Sequence, residues 1–88
     1  MFDLKYHHEV LEKDIPKLPL NIKRRIKKAI EQRLTTAPQD YGVPLRKSLK
    51  GYSKLRVGDY RVIFKILKKQ VRIYKIGHRK DVYKSVTP

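Results

Sequence analysis

The residues best suited to chemistry in this chain lie on two alternating runs, Tyr52–Val57 and Tyr60–Ile66, which flank Gly58-Asp59. Glycine at the first central position suits a two-residue hairpin turn of the II′ type, where that residue alone needs a positive φ. The turn fixes the register, with Val57 opposite Tyr60, Arg56 opposite Arg61 and Lys54 opposite Ile63. Leu55, Val57, Tyr60, Val62, Phe64 and Ile66 then share one face, the expected core, with Tyr60 and Phe64 assigned to packing. Lys54, Arg56, Arg61 and Lys65 share the other face. Like charges side by side on a sheet cost stability unless solvent or an anion relieves them, so this face is a candidate binding site for an anionic partner.

Composition names the class of partner. Within 88 residues, 23 Lys and Arg stand against 8 Asp and Glu, a formal charge of +15. That field concentrates polyanions, nucleic acid first among them. A hydrophobic fraction of 40% in patterned runs separates the chain from a disordered basic tail. One domain spanning residues 1–88 is expected, because this length supports one modest core. There is no Cys, which excludes disulfides and thiolate chemistry. The carboxylates are scattered and no Gly-rich phosphate loop occurs, so neither a metal nuclease nor a nucleotide hydrolase is expected. His7 and His8 lack the i, i+4 spacing of a helical metal pair. We expect no metal, no cofactor and no membrane segment, a cytoplasmic location and a chain that is monomeric on its own.

The remaining elements must position the hairpin. Phe2, Leu4 and Tyr6 alternate with polar residues as in a half-buried strand. Val10, Leu11 and Ile15 predict a short helix over residues 8–15 that Pro16 stops or kinks. From Asn21 as N-cap, Ile22, Ile26, Ala29, Ile30 and Leu34 form one apolar stripe of a second helix. Its other faces carry Lys23, Arg24, Arg25, Lys27 and Lys28, which read equally well as a solvated surface or as a grip on RNA phosphates. Thr35–Leu49 reads as an irregular connection containing Arg46 and Lys47, with Lys50 just beyond it. A third alternating run, Val71–Ile76, follows a turn without Gly or Asn, which leaves open the side to which Tyr74 points. The expected fold class is α+β, an N-terminal strand and two helices packed on a small antiparallel sheet.

Leu49-Lys50-Gly51, the run Lys54–Phe64 and the run Ile76-Gly77-His78-Arg79-Lys80-Asp81-Val82-Tyr83 occur in that order after a strand and two helices. Over nearly the whole chain this arrangement resembles the RelE/ParE toxin superfamily, and the last two motifs are fairly specific. The resemblance implies the RelE-like microbial ribonuclease type of fold and the toxin of a type II toxin-antitoxin system. Members of the RelE branch, the one favoured here, enter the ribosomal A site and cut mRNA without a metal. Each is silenced by an antitoxin encoded beside it. The branch's catalytic positions look like Lys54, Arg61, Arg79 and Tyr83. Ser53 stands where the family has a further lysine, and the segment from the arginine to the terminal tyrosine is shorter. ParE relatives share the fold but inhibit DNA gyrase, so the alternatives are a gyrase inhibitor or a non-catalytic RNA-binding domain.

For RNA cleavage, a ribose 2′-OH attacks the adjacent phosphorus while one group removes its proton and another stabilises or protonates the leaving oxygen. In this scheme Arg61 holds the phosphate bidentately, Lys54 supplies charge or acts as base, and Arg79 stabilises the leaving oxygen. Tyr83 stacks on a base or orients the scissile nucleotide, or alternatively ties the C-terminal segment to the sheet. His78 is added because imidazole is the one obvious neutral-pH base beside these residues. Lys23, Arg24, Lys27, Lys28, Arg46, Lys47, Lys50, Arg56 and Lys65 are the candidate RNA contacts. The expected partners are the ribosome with its mRNA and an acidic antitoxin that folds on binding.

Overall fold

In the computed structural model, which describes residues 1–84, five strands form one sheet: β1 (Asp3–Tyr6), β2 (Val43–Pro44), β3 (Ser53–Val57), β4 (Tyr60–Leu67) and β5 (Gln70–His78), in the order β1-β5-β4-β3-β2. Strands β2 to β5 are antiparallel to their neighbours, and β1 joins β5 in parallel. The turn between β3 and β4 forms as its chemistry demands. Gly58 has a φ of +60° whereas Asp59 does not enter the left-handed region. Val57 pairs with Tyr60, Arg56 with Arg61 and Lys54 with Ile63, the register expected of that turn. At the next turn Lys68 takes a φ of 58°, so a lysine fills the position that glycine would fill without strain.

The helices cover one face. A wide, π-type turn at Val10–Asp14 runs into a 3-10 turn at Ile15–Lys17. The winding tightens at Pro16 and ends at Lys17, one residue beyond it, as expected of a proline that stops or kinks a helix, and Pro16 falls in the first turn of the tighter segment, where a missing N–H costs nothing. Helix α1 spans Leu20–Ala29 and is prolonged by a second wide turn at Ile30–Leu34. Its start differs from expectation. Pro19, extended at ψ 149°, is the N-cap, and its carbonyl accepts the Lys23 N–H at 2.8 Å, so Asn21 sits inside the first turn. The stretch expected to be irregular holds a short helix, α2 (Pro38–Tyr41), the edge strand β2 and a 3-10 turn at Lys47–Leu49.

Ile26, Ala29, Ile30 and Leu34, with Val10 and Leu18, pack on Leu55, Val57, Val62, Phe64, Val71, Ile73 and Ile76. Each fully buried aliphatic side chain of this set contributes about 1.5–3 kcal/mol relative to exposure. Two residues assigned to this core lie at its margin, since the sheet outruns the helices: Tyr60 is half-buried and Ile66 exposed. A bulge between Ile63 and Phe64 in the β4–β5 pairing leaves both Ile73 and Ile76 on the core side. Beyond the end of β1 the edge of β5 is closed by Asp14. Its Oδ2 accepts the Ile76 N–H at 3.0 Å and its Oδ1 accepts Lys75 Nζ at 2.8 Å. This buried carboxylate replaces a strand partner and fixes the first helical segment to the sheet.

Candidate nucleic-acid interface

The sheet face away from the helices is the one that carries the cations. Alternation puts Lys54 and Arg56 of β3 there with Arg61 and Lys65 of β4, as the hairpin register requires. A small apolar nucleus covers its middle. Ile63, expected among the cations, is fully buried together with Val82 of the 3-10 turn Val82–Lys84. A Cβ on Gly77 would stand 3.6 Å from the Val82 Cβ, so a small residue in this row lets the C-terminal turn settle on the sheet. That turn brings Tyr83 over β3, with Lys54 Nζ 5.9 Å from the centre of the Tyr83 ring.

Arg61 is held where it can be aimed. It is 8% exposed, and its Nη1 donates to the carbonyls of Gly58 at 2.8 Å and Tyr60 at 2.9 Å. Its Nε and Nη2 make no hydrogen bond among the described residues, and they are the donors left for a phosphate. Arg79 is tied to the same turn: its N–H donates to the Asp59 carbonyl at 2.8 Å and its Nε lies 3.8 Å from Asp59 Oδ1. Both groups of that pair are largely exposed, so the tie orients Arg79 more than it neutralises it. Lys54, Arg61 and Tyr83 thus share one side of the sheet and Arg79 stands at its turn end.

His78 is elsewhere. It pairs with Tyr60, whose row faces the helices, and their rings meet edge to face at 5.5 Å. Its Nδ1 accepts the Lys80 N–H at 3.2 Å. With Asp14, Lys17, Tyr60, Lys75 and Asp81 it lines a recess of about 280 Å³ on the helix side of the sheet edge. His78 thus shares the row of Tyr60 and not that of Lys54, although its recess is also lined by Gly77 and Val82, and Ser53 likewise pairs with Phe64 on the core side.

The basic run of α1 divides between two sides of the helix. Lys23 and Lys27 border an apolar groove of about 320 Å³ formed with Tyr6, Leu11, Ile15 and Ile30. In that groove Tyr6 has its pKa raised above 10.0, first by burial and then by the negative charge of Glu31. Arg25 and Lys28 instead line a recess of about 330 Å³ with Arg33 at the open edge of β3, where Arg56 borders it from the strand edge although its row faces away from the helices. Arg25 belongs to the basic run of the sequence, but its convergence with Arg56 depends on how α1 crosses the hairpin. The signal was there in part: Arg25, Lys28 and Gln32 recur at helical spacing. Arg24, Arg46, Lys47 and Lys50 are exposed. Lys65 Nζ lies 4.4 Å over the ring of Tyr52, and Tyr52 meets Tyr74 edge to face at 5.4 Å, so Tyr74 points to the cationic face. Among the described residues no group of acidic or His side chains could hold a metal, and no helix is long and apolar enough to cross a membrane.

This fold is that of a known class of toxins. The model of the ParE toxin of type II toxin-antitoxin systems (parDE) matches residues 4–83. The chain belongs to this family, a branch of the RelE/ParE superfamily, and is a type II toxin by fold. Among solved structures it is similar to the RelBE2 toxin-antitoxin complex from Mycobacterium tuberculosis, with 28% identity, 89% of this chain and 98% of that chain covered, and a TM-score of 0.82. The RelB–RelE antitoxin-toxin complex from Methanococcus jannaschii follows the same fold at 23% identity, with 91% and 95% covered and a TM-score of 0.69. So does YafQ from Escherichia coli, at 22% identity, 91% and 96% covered, and a TM-score of 0.57. No curated protein sequence matches the chain.

Proposed function

We propose that the chain is a RelE-like endoribonuclease toxin that cuts mRNA in the ribosomal A site, with Lys54, Arg61, Arg79 and Tyr83 as its working side chains. The observation that carries this reading is the approach of Tyr83 to Lys54 on the face where Arg61 keeps free guanidinium donors. In the proposed reaction the 2′-oxygen bonds to phosphorus, the bond to the 5′-oxygen breaks, and a cyclic phosphate and a free 5′-hydroxyl result. Arg61, pinned through Nη1, offers Nε and Nη2 to the phosphoryl oxygens as negative charge builds on them. Lys54 stabilises the same charge, Arg79 stabilises the leaving oxygen, and water takes the 2′ proton and protonates the 5′-oxygen. Tyr83 orients the base on the 5′ side. His78, on the far side of the sheet, takes no part.

A second reading, a gyrase inhibitor without chemistry of its own, draws on the ParE description of the matching family. The two separate cleanly. Ribosome-bound mRNA carrying a single 2′-deoxy nucleotide at the cut position should resist the enzyme, whereas the all-ribose message is cut there. Intact all-ribose mRNA together with loss of gyrase supercoiling would reverse the choice.

An antitoxin belongs to the proposal. The apolar groove between α1 and the first helical turns, with Leu11 54% exposed and Lys23 and Lys27 at its rim, suits an acidic amphipathic helix. The proposed complex forms as one continuous 1–88 toxin domain receives that segment.

A further inference from the structure

The cationic face extends beyond Tyr83 in a way that cleavage at Lys54 does not use. Three cations from three strands stand directly opposite one another, since Lys65 of β4 pairs with Arg72 of β5 and Arg72 pairs with Lys5 of β1. Alternation sends all three to the face away from the helices, because their neighbours Leu4, Phe64, Val71 and Ile73 pack in the core. Strands lie about 4.8 Å apart, so the row is about 10 Å long. Among the described residues none of the three makes an ion pair, and the one bond Arg72 makes, from Nε to Gln70 Oε1 at 2.6 Å, goes to a neutral amide. Like charges opposite one another on a sheet oppose folding, and this row is three deep, with the acid Asp3 on the adjacent row of the same face.

Beside the row lies an aromatic strip. Tyr52 carries Lys65 over its ring, Tyr74 meets Tyr52 edge to face, and the His7 ring lies 6.2 Å from Tyr74. Neither Tyr52 nor Tyr74 packs on the helix-side core. Tyr74 reaches this face only through the extra β5 residue at the bulge.

We infer that this half of the sheet is a track for single-stranded RNA, with backbone phosphates on Lys5, Arg72 and Lys65 and an unstacked base on Tyr74 or Tyr52. Cations in a line bind any nucleic acid, whereas half-buried rings beside them select strands whose bases are free to stack. The inference rests on the proposed function in one respect: the track would hold the stretch of message next to the nucleotide cut at Lys54.

The test is binding of a labelled single-stranded oligoribonucleotide to the full chain across a salt series, with Lys5→Gln, Arg72→Gln, Lys65→Gln, Tyr74→Leu and Tyr52→Leu variants checked by thermal unfolding. Lys13→Gln, on the first helical turn and off this face, removes the same charge as a control. Each glutamine variant on the track should weaken binding several-fold and lower the salt slope by about 0.7. Tyr74→Leu should weaken it about tenfold and leave the slope unchanged. Equal losses in Lys13→Gln and Arg72→Gln would overturn the track in favour of diffuse attraction, as would equal affinity for a duplex or full affinity in both tyrosine variants. Binding is read without cleavage. A protein that binds by these residues but never cuts would sink the proposed function alone, and one that cuts but binds as well without them would sink the track alone.

Discussion

The Nζ of Lys54 lies 5.9 Å from the centre of the Tyr83 ring, joining the middle of the hairpin to the last described turn of the chain. What holds the pair is the packing of the buried Val82, one residue earlier, over Gly77 of β5. In the proposed mechanism the tyrosine's contribution lies in its ring, which a cation and a base can both use. Tyr83→Phe should keep cleavage within about threefold, and Tyr83→Ala should lose about tenfold or more, given the 1–3 kcal/mol of one stacked base. A large loss in Tyr83→Phe would instead assign the hydroxyl a proton-carrying role.

In the proposed mechanism Arg61 serves stability and chemistry at once. Truncation to alanine removes charge-assisted bonds to Gly58 and Tyr60 and should cost about 1.5–3 kcal/mol in urea unfolding. Arg61→Lys keeps the charge but not the fork. It should leave the fold largely intact and lower cleavage by about 100-fold, the scale for losing one oriented donor to a transition state.

Asp14 is a structural carboxylate. Asp14→Ala strands the Ile76 N–H and Lys75 together, and unfolding measurements should show a loss of about 2–4 kcal/mol. Asp14→Asn keeps an acceptor for the N–H and should lose about half as much.

Tyr6 gives the fold an alkaline limit. Its raised pKa means that the folded state holds the phenolic proton more tightly than the unfolded chain. Its contribution is complete below about pH 10, the ordinary tyrosine value, and declines as pH rises through the folded value. The stability difference between wild type and Tyr6→Phe should be flat up to about pH 10 and should then move against wild type. A difference that stays flat at higher pH would remove the titration.

How much of this was legible depended on what local chemistry dictates. Gly58-Asp59 specified its turn, the turn specified the register, and the register specified which face carries Lys54, Arg56 and Arg61. The stripe Ile26–Leu34 likewise named its buried face. What stayed hidden depended on tertiary packing. Nothing local to Gly77 announces that Val82 returns to pack over it, and the bulge that turns Tyr74 outward exists only in the pairing of two strands. The parallel docking of β1, which sets Lys5 against Arg72, is equally non-local. His78 looked adjacent to Arg79 along the chain, yet one residue of alternation moved it to the other side of the sheet.

Primer-extension mapping of mRNA on programmed ribosomes tests the central claim most directly, with wild type, Lys54→Gln and ribosome-free RNA compared side by side. The account predicts cuts within the A-site codon that need the ribosome and fall about 100-fold in Lys54→Gln. Intact mRNA at saturating wild-type toxin, or equal cutting by the variant, would contradict it.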